Sequence, residues 1–510
     1  MHMENNRANK LAKNTIALYV QMFVSMLIAL FTSRILLQAL GVDDYGLYNV
    51  VGGVVAMITV LTGGMTTSTQ RFLSFELGKD DKSNLGNVFS ICVSTHVILA
   101  VILLIVAETL GLWFLNNYIQ IPEGREQAAI CVYQFSVLSV CLNMCVVPYS
   151  ACVLSHEKMN VYASIGILDA VLKLVIALLI SDSPIDKLIF YGALMFFVVV
   201  TNFLIYLLFC VYHFSETHCH FYWNKQLFSR IFSFASWTIV GQGAMAGANQ
   251  GTNLLVNMFH SVRANAAMGV ASQVNAALTG LTSNFYIAYQ PQITKAYSAR
   301  DYDYMNKLLM GASKLSFFLV FIVSIPILFN LDEILEIWLD IVPEDTSIFC
   351  FLFIISSIIN ALGNPFLTGV YATGKIKNLQ LVSTILYLLD LVIIYCLFKI
   401  GLPAYWGPAT KVFIDILLTS TRILYANKQL EFFSLREYLI RVIVPILICI
   451  TLVILPLIAS TLLINSIGTK VLITFALLIY TTIVAFFIGL DKSEKSMAIN
   501  MVKSIVASSL

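Results

Sequence analysis

The chain has 510 residues, of which 59% are hydrophobic and only 11% charged, with a mean hydropathy of +0.85. Soluble globular proteins are about 45–50% apolar and about 25% charged. A soluble enzyme, a nucleic-acid binder and a disordered scaffold are therefore excluded, and lipid must be the main solvent. Thirty Lys and Arg against 28 Asp and Glu leave a formal net charge of +2, so there is no basic footprint.

A bilayer-spanning helix takes about 20 mostly apolar residues. In chain order this predicts fourteen spans, near 14–39, 46–66, 88–115, 128–151, 161–180, 187–212, 231–257, 264–290, 308–330, 346–366, 379–400, 405–425, 438–463 and 470–490. Runs such as Val97–Ala107 and Val442–Ile458 do not alternate in polarity as barrel strands do, so the fold class is an all-α integral membrane protein. The first span lacks a small-residue cleavage site and is too long for a signal peptide, so it is expected to stay attached. Cys92, Cys131, Cys141, Cys145, Cys396 and Cys449 sit inside apolar runs and read as free, membrane-buried side chains.

Lys and Arg gather on the cytoplasmic side of membrane proteins. With the N-terminus inside, 22 of the 30 positive residues fall on inner segments or adjoining span ends. They are Arg7, Lys10, Lys13, Arg71, Lys79, Lys82, Lys158, Lys225, Arg230, Lys295, Arg300, Lys307, Lys314, Lys375, Lys377, Arg422, Lys428, Arg436, Arg441, Lys492, Lys495 and Lys503. Only Arg125, Lys187, Arg263, Lys399 and Lys470 fall outside. Both termini are thus expected in the cytoplasm. The outer stretch from Asp332 to Asp345 is acidic and interleaved with Ile334, Leu335, Ile337 and Trp338, which predicts an interfacial amphipathic helix.

The chain also repeats itself. Ser139, Asn143, Pro148 and Lys158 recur 217 residues later as Ser356, Asn360, Pro365 and Lys375, without a gap. A fainter match at offset 220 pairs Val42, Val50, Val54, Thr62, Gln70 and Asp81 with Val262, Val270, Val274, Thr282, Gln290 and Asp301. Spans 4 and 10 are six apart, so the repeats are parallel, an arrangement transporters use with the substrate path between halves. The expected organisation is a six-helix lobe at 1–213, a cytoplasmic linker at 214–230, a second six-helix lobe at 231–426, and two further spans with a tail at 427–510.

The first-span exit Ser-Arg-Ile-Leu-Leu-Gln-Ala-Leu-Gly (Ser33–Gly41), the following segment Asp44–Tyr48, the stretch from Pro148 to Asn160, and its echo ending at Lys375 resemble the multidrug/oligosaccharidyl-lipid/polysaccharide exporter superfamily. Within it the chain is most similar to Wzx-type polysaccharide flippases. The resemblance implies two pseudo-symmetric six-helix lobes in a V shape and location in the bacterial inner membrane. It also implies movement of undecaprenyl-diphosphate-linked oligosaccharide to the outer leaflet by alternating access. Its implied partners are the lipid-linked substrate, the bilayer, and a polysaccharide polymerase with other assembly proteins; no cofactor is implied.

Seven ionisable residues lie within spans: Arg34, Glu108, Asp169, Lys173, Asp390, Lys411 and Asp415. Such residues are costly in lipid and mark functional sites by default. Arg34, Lys173 and Lys411 are candidates to line a cavity and meet diphosphate or acidic sugars; Arg suits phosphate through its planar fork. Asp169, Asp390, Asp415 and Glu108 are candidates for coupling or for structural ion pairs. Asp169/Lys173 and Lys411/Asp415 are spaced i,i+4, Arg34 and Glu108 have similar calculated depths, and Lys173 aligns with Asp390 in the repeat. Gln242, Asn249 and Asn253 form one stripe on span 7, and Ser272, Asn275, Thr279 and Thr282 another on span 8. Amides and hydroxyls suit sugar hydroxyls, or equally suit close packing of membrane helices.

The segment holding His213, Glu216, His218, Cys219 and His220 matches no four-ligand zinc spacing, so no metal is expected there. No nucleophile–base constellation and no phosphate-binding loop occur, so catalysis is not expected. A cation-coupled multidrug exporter is the alternative, weakened because neither span 1 nor span 7 has a carboxylate in its apolar run. A membrane glycosyl polymerase or ligase would need a large basic outer loop, which the sequence lacks.

Overall fold

The computed structural model describes residues 2–56, 59–79, 83–118, 121, 124–180, 183, 185–218, 222–339, 342–461, 467–491, 494, 495 and 499. Asp81, Lys82, Cys219, His220, Asp340, Lys492 and Lys503 lie outside them, as do the side chains of Arg7, Val42, Val50 and Val54. Among the described residues there are helices and no strands. In chain order they are α1 (His2–Ala56), α2 (Thr59–Leu77), α3 (Leu85–Val106), α4 (Leu112–Tyr118), α5 (Glu126–Ser155), α6 (Met159–Leu179) and α7 (Lys187–His213). There follow α8 (Lys225–Phe259), α9 (Val262–Ser298), α10 (Tyr302–Phe329), α11 (Leu331–Leu339), α12 (Thr346–Thr373), α13 (Lys377–Lys399) and α14 (Trp406–Gln429). Last come α15 (Leu435–Tyr438), α16 (Val444–Thr461) and α17 (Ile467–Val484).

Ten helical stretches among the described residues are long and apolar enough to cross a membrane. The long helices α2, α8, α9 and α14 fall outside that set because Thr, Gly, Asn, Gln and charged groups dilute them. Gly41, at φ +78°, breaks α1 where the sequence ends its first span. The second expected span, 46–66, starts on α1 and stops earlier than the next helix does, since α2 runs from Thr59 to Leu77. On α3, Val97, Ile98, Val101, Ile102 and Ile105 are exposed at helical spacing. An apolar stripe of this size is costly in water and is what a bilayer solvates.

The chain forms two compact units, one of Ala17–Gln242 and one of Met1–Ile16 with Gly243–Leu510. In the first, α5 packs against α7, α2 and α3, around Met65, Leu103, Tyr133, Val137 and Met144. In the second, α12 packs against α14, α9 and α10, around Leu278, Val320, Ile354 and Ala361. The central helices α5 and α12 carry Pro148 and Pro365 at matching places. Each unit therefore builds the same neighbourhood around its copy of the repeated Ser–Asn–Pro segment. The acidic stretch forms α11, which buries Leu331 and Leu335 while Ile337 is 87% exposed. Lys470 of α17 pairs with Glu333 there. The nine described cysteines are all free, though only five are buried and Cys396 is exposed.

Candidate functional site

Within the first unit lies a cavity of about 590 Å³. α1 supplies Gln21, Ser25, Ile28, Ala29, Thr32, Ser33 and Leu36 to its wall. The steps between them are three or four residues, or adjacent, so one face of a 3.6-residue helix presents them all. Tyr48 comes from beyond the Gly41 break, and α5 supplies Asn143 and Val146. α6 presents Tyr162, Ile165, Gly166, Asp169, Ala170 and Lys173, and α7 presents Tyr191, Asn202 and Tyr206. The wall thus mixes hydroxyl and amide groups with aliphatic side chains, and it carries a single acid–base pair.

That pair is intrahelical. Lys173 Nζ lies 2.7 Å from Asp169 Oδ2, and Asn202 Nδ2 donates to Asp169 Oδ1 at 2.7 Å. Gly166 makes room for Gln21: a Cβ there would stand 2.2 Å from Gln21 Nε2. The chain pattern that places these groups is ordinary amphipathicity turned inward, with lipid-facing residues such as Phe23, Met26 and Leu27 on the opposite side of α1.

The other sequence-predicted residues lie elsewhere. Arg34 is exposed and makes no ion pair among the described residues. The expected Arg34–Glu108 pairing does not form: Glu108, on the π-helical turn Ala107–Gly111, accepts from Gln134 Nε2 at 3.0 Å. Equal depth gave the two side chains no common azimuth. Gln242 is half-buried and lies against Gly63, where a Cβ would meet its Oε1 at 2.8 Å. Asn249 is exposed and Asn253 half-buried. Asn275 Oδ1 accepts from Ser357 Oγ of α12 at 2.7 Å, so it serves helix contact. Ser272, Thr279 and Thr282 donate to carbonyls of their own helix.

In the second unit, Lys411 Nζ is 3.6 Å from Asp415 Oδ2, and the Ser356 hydroxyl donates to that same carboxylate. Asp415 is 2% exposed and Asp390 4%. Arg422, placed by its position in sequence at an inner span end, is buried and donates to Asn364 Oδ1 at 3.0 Å. Lys314, in the same inner group, is buried against Glu494 at 2.9 Å. The repeat gives Ser356 an acidic partner, whereas its counterpart Ser139 donates to Phe135 O of its own helix at 2.7 Å.

Of the cavity residues, the sequence marks Asn143 only for the repeat and Ser33 only for a motif, and it marks none of Gln21, Ser25, Thr32, Tyr162, Asn202 and Tyr206. The signal was present in α1, whose polar residues recur on one helical face inside an apolar run.

No protein-family model matches the chain, and no curated protein matches its sequence. Solved structures do match its fold. A MATE protein in the bent conformation superposes with a TM-score of 0.74 at 14% identity, over 84% of this chain and 97% of that one. An outward-facing multidrug resistance MATE family transporter of the MOP superfamily gives 0.70 at 14% identity, over 83% and 97%. A MOP superfamily transporter from Pyrococcus furiosus, described by a reversed polarity of its binding pocket that suggests a different function, gives 0.70 at 13%, over 82% and 96%. The chain has the MATE-like fold.

Proposed function

We propose that this chain is a multi-pass membrane transporter that flips undecaprenyl-diphosphate-linked oligosaccharide from the inner to the outer leaflet by alternating access. The MATE-like fold supports a transporter, and the cavity wall supports a glycan ligand. Hydroxyls and amides both donate and accept hydrogen bonds, as sugar hydroxyls do. The cavity wall is the observation that carries this reading: ten polar groups surround one internally neutralised ion pair. In this reading the sugars occupy the cavity and Lys173 meets phosphate or acidic sugar groups while the polyprenyl chain stays in lipid. Arg34 and Lys411, with Gln242, Asn249, Asn253 and Asn275, remain proposed contacts along the path. Glu108, Asp390 and Asp415 remain proposed coupling or pairing groups. A polysaccharide polymerase and other assembly proteins are the proposed partners, and the bacterial inner membrane is the proposed location.

The second reading, a cation-coupled multidrug exporter, has one observation in its favour. Asp169 is a carboxylate that faces the cavity. Lys173 at 2.7 Å neutralises it, which favours the glycan. The test follows lipid-linked glycan accessibility from outside in cells lacking the chain. Precursor should accumulate on the inner face; normal outer-leaflet exposure, with drug sensitivity as the sole defect, would replace the first reading with the second.

A further inference from the structure

The segment after α7 has no four-ligand zinc spacing of its own. The fold brings two ligands to it from 60 or more residues upstream. Cys152 and His156 are i,i+4 at the C-terminal end of α5, so they share a face. Glu216 reaches that face from the single 3₁₀ turn Ser215–Thr217. The Cys152 Sγ to Glu216 Oε1 distance is 3.9 Å and His156 Nε2 to Glu216 Oε1 is 2.5 Å. All three ligand atoms lie within 4.8 Å of one another.

We propose that Cys152, His156 and Glu216 bind a zinc ion that ties the end of α5 to the segment following α7. Thiolate, imidazole and carboxylate together suit a borderline-soft ion with tetrahedral geometry. Zinc–ligand bonds of about 2.0–2.3 Å place tetrahedral ligand atoms roughly 3.3–3.7 Å apart. The Cys–Glu separation must close by about 0.2 Å or more, and the His–Glu pair must open by about 1 Å. Water takes the fourth position.

The surroundings hold the ligands still. Cys152 is 1% exposed. The His156 ring stacks on Phe214 with centroids 4.0 Å apart and planes 14° apart. Two nearby histidines bond to backbone within their own segment: His213 Nδ1 to Phe209 O at 2.9 Å, and His218 Nδ1 to Ser215 O at 3.0 Å.

The test uses the full chain in detergent, stripped with a chelator and titrated with Zn²⁺, then with Co²⁺. One zinc per chain is expected by elemental analysis after gel filtration. Cobalt should give a tetrahedral visible spectrum with a thiolate charge-transfer band that Cys152→Ser abolishes. Glu216→Gln, nearly isosteric and still able to bond His156, should weaken zinc binding by at least roughly tenfold while the chain stays monodisperse. Wild-type chain that takes up no zinc above a buffer blank overturns the proposal. So does zinc binding unchanged in both variants.

Discussion

Asn202 of α7 donates its amide hydrogen to Asp169 of α6 at 2.7 Å, across the contact between two helices that both wall the cavity. The same carboxylate holds Lys173. One acid thus orients both the only described cation of the cavity wall and an amide that faces the ligand space.

Lys173→Met should lower glycan export at least tenfold with normal membrane expression. Swapping the pair, as Asp169→Lys with Lys173→Asp, separates two roles. A structural ion pair survives the swap, and export returns; a cation that meets the ligand does not, and export stays low. Outer-leaflet glycan labelling reads both variants.

Gly166→Leu should block transport without unfolding the lobe. Even a Cβ would press on Gln21, and a larger side chain must occupy the cavity itself. Overpacking costs about 1–3 kcal/mol, small enough for the chain to remain folded in detergent. Export equal to wild type would remove this cavity from the substrate path.

Lys411→Met should destabilise the second unit toward the lower end of about 3–5 kcal/mol, the cost of stranding a buried charge. Asp415 is almost fully buried, while Lys411 keeps 18% exposure. Adding Asp415→Leu should recover most of the loss, since replacing a buried pair by apolar groups is often neutral. Thermal unfolding in detergent measures the cycle; no recovery in the double variant would mean the pair does more than neutralise itself.

Outside the spans, Arg125 bridges Asp44 and Asp186, and Asp186 caps α7 by accepting from Leu188 N at 3.0 Å and Ile189 N at 3.1 Å. Burial by itself would raise the Asp186 carboxyl, but the Ile189 N–H and the Arg125 guanidinium outweigh it and hold it below 3.8. A depressed carboxyl stabilises the fold above its unfolded value and loses that contribution as pH falls through its folded value. Stability should therefore be level above about pH 5 and decline below pH 3.8. Arg125→Ala should flatten that decline and lower the plateau, as read from melting temperatures across pH.

The i,i+4 pairs Asp169/Lys173 and Lys411/Asp415 could be read from spacing, because helical geometry alone puts them on one face. So could most of the membrane-crossing helices, the break near Gly41, the acidic helix α11 and the duplicated Ser–Asn–Pro segment. These depend on periodicity and hydropathy, which are local properties of the chain. Partners across helices could not be read. Asn202 on Asp169, Ser356 on Asp415, Gln134 rather than Arg34 on Glu108, and Glu216 on Cys152 and His156 all depend on how helices rotate about their axes. Depth in the membrane follows from counting residues, but azimuth is set by side-chain packing between helices far apart in sequence.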